Sequence, residues 1–168
     1  RRLAHAKDRG GLSLVNSKKE PIHQLMEALN ERAKELNCLY RIDEVLADPT
    51  APVHDVCRQL VEAIPSGWKY PEACAVRIVL GRGQAESAGF PETAWQLTEL
   101  ILAEGMEVGA LTVCYKQEKP AADEGPFLKE ERKLLNAIAQ RAAFFFTRMN
   151  LRIARDDLLS AQNLLEKD

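Results

Sequence analysis

At 168 residues, with 46% hydrophobic and 29% charged positions, the chain has the material for one packed domain plus extensions. Its 23 basic and 25 acidic residues are spread along the sequence and leave a formal net charge of −2, which excludes a single-sign field able to hold nucleic acid or an anionic bilayer. No apolar run nears the roughly 20 residues of a membrane span, and Arg1-Arg2-Leu3-Ala4-His5 lacks the apolar segment of a secretion signal.

The first residue is not Met, which suggests a piece of a longer polypeptide. Residues 1–20 contain Gly10-Gly11, several charges and little periodicity, and read as a linker or tail. The pattern changes at Pro21, a residue suited to a first helical turn. Ile22, Met26, Leu29, Ala33, Leu36 and Tyr40 then recur at spacings of four and three, an apolar seam along one helix that should stop at Asp48-Pro49. The start of the seam is expected to meet a second copy of the chain and its middle to cover a sheet. Val53, Val56, Cys57, Leu60, Val61 and Ile64 make a second amphipathic helix, between Pro52 and Pro65-Ser66-Gly67.

The period then shortens. Ala73 to Leu80 is mostly apolar and β-branched, and Gly81-Arg82-Gly83 turns it into Gln84 to Ala88, a hairpin. A second hairpin pairs Trp95 to Ala103 with Val108 to Lys116 across Glu104-Gly105-Met106-Glu107. After a polar loop, Pro126 opens the last helix, with Glu130 and Glu131 in its first turns where carboxylates complement the helix dipole. Leu134, Leu135, Ile138, Ala142, Phe145 and Met149 continue it, and Phe144, Leu151, Ala154, Leu158, Ala161 and Leu165 keep the three-four spacing to the end. A helix of some 40 residues reaches about 60 Å, further than one small domain covers. Its distal part therefore calls for a parallel dimer mate, through Ile22, Met26, Leu29, Met149, Leu151, Leu158 and Leu165.

Together these elements predict an α+β fold, an antiparallel sheet of at least four strands flanked by N-terminal helices and a long C-terminal helix. On the sheet face away from the helices, alternation groups Arg77, Trp95, Thr112 and Cys114, with Phe90 at the rim, as liners of a pocket for a small anion or aromatic ligand. The plainer alternative has Trp95 and Phe90 plugging that face while Arg77 pairs with a glutamate. His5, His23 and His54 are scattered, so no metal site is expected, and Cys38, Cys57, Cys74 and Cys114 lack paired spacing and read as buried free thiols of a reduced, cytoplasmic setting.

Four stretches carry a family resemblance: Glu31 to Tyr40, Ile64 to Pro71, Phe90 to Trp95 and Glu124 to Ala139. With the order helix, helix, hairpin, hairpin, long helix, the chain resembles the GAF domains of multidomain signalling proteins over roughly residues 21–148, with 149–168 as a C-terminal signalling extension. The resemblance implies a non-catalytic sensory module, linked to an output such as a histidine kinase of a two-component system, a diguanylate cyclase or a phosphoenolpyruvate synthase-like enzyme; with the dimer that the long helix calls for, the expectation is a homodimeric module without a cofactor. Only Gly89 to Ala94 separates the two hairpins, shorter than in GAF domains with well-formed ligand pockets. The alternatives are a small thiol reductase on a GAF frame, using Cys74 and Cys114, and a spacer that dimerises without transmitting anything.

Overall fold

A computed structural model describes residues 11–167, with side chains from residue 19 on. Helix α1 spans Gly11–Val45, α2 Val53–Ala63 and α3 Lys129–Leu165; between α2 and α3 lie two 3-10 turns, Ile64–Gly67 and Pro71–Ala73, and four strands, β1 Cys74–Leu80, β2 Gly83–Glu86, β3 Gln96–Ala103 and β4 Met106–Tyr115. The fold is α+β, as the periodicities predict. The expected tail at 1–20 fares differently in its two halves: residues 1–10 lie outside the described residues, and from Gly11 the chain is already helical, with Pro21 inside α1 rather than at its start.

The sheet is antiparallel throughout, in the order β2-β1-β4-β3, so the two hairpins join through the central pair β1 and β4. Both positions of the Glu104-Gly105 turn have positive φ, 52° and 77°, the mirror-image turn whose twist matches a two-residue hairpin loop. Ala103 therefore pairs directly with Met106, and β4 begins two residues earlier than the hydrophobic run suggests.

One face of the sheet is the core. Val76, Ile78, Leu80, Leu97, Ile101, Leu111, Val113 and Tyr115 are buried there, beneath α2 on the β1–β2 side and α3 on the β3 side. Helix α1 forms a further layer, against the Ile64–Gly67 turn, α2 and α3. Its buried residues are Glu35, Cys38 and Ile42, joined by Leu46 just past its end, whereas Ala33, Leu36 and Tyr40 are exposed. The expectation that the middle of the seam covers the sheet is thus corrected. A helix has room for two stripes at three-four spacing, and the stripe offset by two residues from the seam is the one buried in this domain.

The two long helices run in the same direction. A methyl group at Gly67 would meet Leu134 and Cys38 at once, which sets these residues at one level. Further along, Arg141 bonds Asp43 at 2.9 Å and Arg148 donates to the Leu46 carbonyl at 3.0 Å. Numbers rise together along both helices, so the Ile22 end of α1 and the Leu165 end of α3 leave the domain at opposite ends.

Candidate functional site

The outer sheet face comes first, since the predicted liners lie there. The register sets Arg77 opposite Thr112, and Cys114 opposite Ala75 and Gln96, so Arg77, Thr112 and Cys114 do share a face. It is Gln96 that lies across from Cys114, and the ladder does not bring in Trp95, which stands one residue ahead of β3 and whose carbonyl receives the Tyr115 N–H at 3.1 Å. Phe90 lies under Arg77, with the guanidinium 4.1 Å from its ring centre. Arg77 also bonds Glu86 at 2.8 Å and approaches Glu92 at 3.8 Å. Its charge is therefore answered from within the chain, by two carboxylates and an aromatic face. Thr112 is matched with the Thr98 hydroxyl at 3.0 Å, and the loop after β2 folds back so that the Pro91 carbonyl lies 4.0 Å from the Cys114 sulfur.

The four thiols are free and buried. Cys74 pairs with Tyr115 on the core face and Cys114 with Ala75 on the outer one, so adjacency in register turns these two side chains to opposite sides of the sheet. Burial holds the Cys38, Cys74 and Cys114 thiols above their ordinary range and pushes Cys57 up to about 11. Thiolate is the nucleophilic form, so this arrangement suppresses the chemistry that a thiol reductase needs.

The start of α3 is held by a buried acid whose place in the first helical turn predicts only a dipole partner. Glu131 is 2% exposed and accepts three hydrogen bonds, from the Leu128 N–H at 2.8 Å, the Tyr115 hydroxyl at 2.8 Å and the Lys69 N–H at 3.1 Å. One carboxylate thereby joins the helix N-terminus, the end of β4 and the segment before β1. Burial, together with that carboxylate, raises the Tyr115 hydroxyl well above the usual phenol range and keeps it a donor. Its ring stacks on Phe127 at 4.8 Å and meets Tyr70 edge-on at 5.5 Å. The sequence signal was present, a Glu at the third position of a helix next to its N-cap, which often reaches back to the cap N–H.

Nearby, Arg132 ties α3 to the edge strand β3 through Glu99 at 2.8 Å and the Thr98 carbonyl at 2.8 Å, and also bonds Glu124. Asn136 adds a bond to Glu99 at 2.7 Å. At the other end of the domain, Arg148 and Arg152 donate to the carbonyls of Leu46, Ala47 and Pro49, satisfying orphan acceptors where α1 ends.

Part of the exposed surface of the two long helices is apolar and periodic. On α1, Ile22, Met26, Leu29, Leu36 and Tyr40 are each more than half exposed, and on α3 so are Phe144, Leu151, Leu158 and Leu165, at intervals of seven. Between the latter stand Thr147, Ala154 and Ala161, which complete a three-four alternation. Met149, expected with them, packs against the core instead. A groove lined by Asp43, Leu46, Gln140, Arg141, Phe144 and Arg148 lies between the two helices at the level where one seam ends and the other begins. Among the described residues no group of His, Cys, Asp and Glu is arranged to hold a metal ion, and no helix is long and apolar enough to cross a membrane. No protein-family model matches the chain, and no curated protein matches it.

Proposed function

We propose that the chain is a non-catalytic, homodimeric sensory or regulatory module that passes a signal through its terminal helices to a covalently linked output domain. The observation that carries this reading is the pair of exposed heptad stripes on helices leaving the domain at opposite ends. Residues Asn150 to Leu165 make a helical arm bearing Leu151, Leu158 and Leu165, all exposed. An isolated helix of this length is marginal in water, and its apolar stripe gains shelter only from another chain. Pairing through such arms gives a coiled coil, and a stiff helix rooted in the core by Leu135, Ile138 and Phe145 transmits a tilt or rotation of the domain to whatever follows.

The resemblance to GAF input domains supports the same reading, and the output remains one of the types that it implies, a histidine kinase, a diguanylate cyclase or a phosphoenolpyruvate synthase-like enzyme. The thiol reductase is disfavoured by buried thiols of raised pKa and by Cys74 and Cys114 facing opposite ways. Sedimentation velocity at micromolar concentration is expected to give a dimer for the parent and a monomer with an unchanged urea midpoint of its folded domain for the triple variant Leu151→Asp, Leu158→Asp, Leu165→Asp. A monomeric parent overturns the proposal. A thermal-shift screen separates a sensor from an inert spacer, because a specific ligand at a hundred times its Kd adds about 2.7 kcal/mol of stability.

A further inference from the structure

We infer that the depression between the segment before β1 and the segment after β4 is a binding site for a diphosphate group, held by Lys69, Lys116 and Lys119 around Tyr70. The depression, about 460 Å³, is lined by these four residues together with Pro71, Glu72, Ala73 and Gln117. It lies at the opposite end of β1 from the Gly81-Arg82 turn. Over a single ring, that of Tyr70, two ammonium groups gather, Lys119 at 4.8 Å and Lys69 at 5.6 Å from its centre. Among the described residues none of the three lysines has a carboxylate within ion-pairing distance, although the chain as a whole carries more acidic than basic residues. Glu72 is the one carboxylate in the lining. Like charges converging in a concave surface focus a positive potential, and a multivalent anion relieves their repulsion.

The frame beneath these charges is fixed. The Lys69 N–H is bonded to buried Glu131 at 3.1 Å, and its carbonyl receives Lys34 at 3.5 Å. The Lys116 N–H bonds the Ala73 carbonyl at 2.8 Å, joining the two lining segments, and Ala73 in turn bonds the Tyr70 carbonyl at 3.1 Å. Tyr70 is braced edge-on by Tyr115. A backbone that needs no rearrangement lowers the cost of bringing lysine ammonium groups, which act as point charges, onto a phosphate. Three of them exceed what a single carboxylate ligand answers, whereas two linked phosphates carry a matching charge. The source is either a free diphosphate or the diphosphate end of a nucleotide. All the lining residues belong to one chain.

The test is isothermal titration of the full chain at low ionic strength with sodium pyrophosphate and, separately, with ADP. Saturable binding of pyrophosphate that falls roughly tenfold or more in the triple variant Lys69→Gln, Lys116→Gln, Lys119→Gln, and weakens with added salt, is the expected result. Equal affinities for the two probes point to a free anion, and tighter binding of ADP points to a nucleotide whose phosphates occupy the same lysines. The control Lys129→Gln, Lys133→Gln, which removes two exposed lysines outside the depression, should bind as the parent does. Failure of pyrophosphate to bind saturably, or binding that the triple substitution leaves intact in a chain of unchanged circular dichroism, overturns the inference.

Discussion

The first and second halves of α3 carry nearly the same pattern and meet opposite fates. Between Lys129 and Met149 the three-four spacing puts Leu134, Leu135, Ile138, Ala142 and Phe145 against β3 and the rest of the core, where each is almost or wholly excluded from water. Beyond Asn150 the same spacing leaves Leu151, Leu158 and Leu165 between 67% and 78% exposed. Periodicity thus states that a stripe is there to be covered; it does not state by what.

The sharpest way to break this comparison is a pair of truncations. Ile138→Ala, at a position with no exposure, should cost about 2 to 5 kcal/mol in urea unfolding, from lost transfer energy and the cavity left behind. Leu158→Ala, measured where the chain is dissociated, should stay within about 0.5 kcal/mol, the range of an ordinary surface change. If the arm is paired, the cost of Leu158→Ala instead grows with protein concentration. Equal effects at both positions at every concentration would mean that the arm is folded into its own subunit.

Next in size is Glu131→Gln. The amide keeps one acceptor where three donors converge and turns an NH2 toward the others, so a loss of about 1 to 3 kcal/mol is expected from the shift in urea midpoint. The same substitution should loosen the Lys69 to Ala73 segment, which hydrogen exchange at the Lys69 amide reads directly.

A smaller effect belongs to alkaline pH. The folded state holds the Cys57 thiol up to about 11 against an ordinary value near 9, so below pH 9 both states keep the proton and nothing is lost. As pH climbs from 9 toward 11 only the unfolded chain ionises, and stability falls. Cys57→Ala should flatten the dependence of unfolding free energy on pH in that window relative to the parent. An unchanged slope would assign it wholly to the other buried thiols and to Tyr115, whose ionisation is opposed in the same direction.

Within the outer sheet face the lesson is similar. Alternation alone put Arg77, Thr112 and Cys114 together, because side chains of paired strands must point the same way. That Arg77 is already occupied by Phe90, Glu86 and Glu92 depends on how the loop after β2 returns over the face, and no local pattern encodes that path. The clamp at Glu131 was half legible, as an acid in a first helical turn. Its bonds to Tyr115 and Lys69 span 16 and 62 residues of sequence.

The sequence by itself determined the elements and the fold class: period two gave the hairpins, period three to four gave the helices, and prolines and glycines marked most of their joints. These are properties of neighbouring residues and of the two soft torsions between them. Only the tertiary structure decided that α1 buries Glu35, Cys38 and Ile42 and turns its more regular seam outward, that Cys74 and Cys114 face apart, and that three lysines from two separate segments line one depression. Those outcomes depend on which surfaces win the competition for the core, a choice made between parts of the chain far apart in sequence.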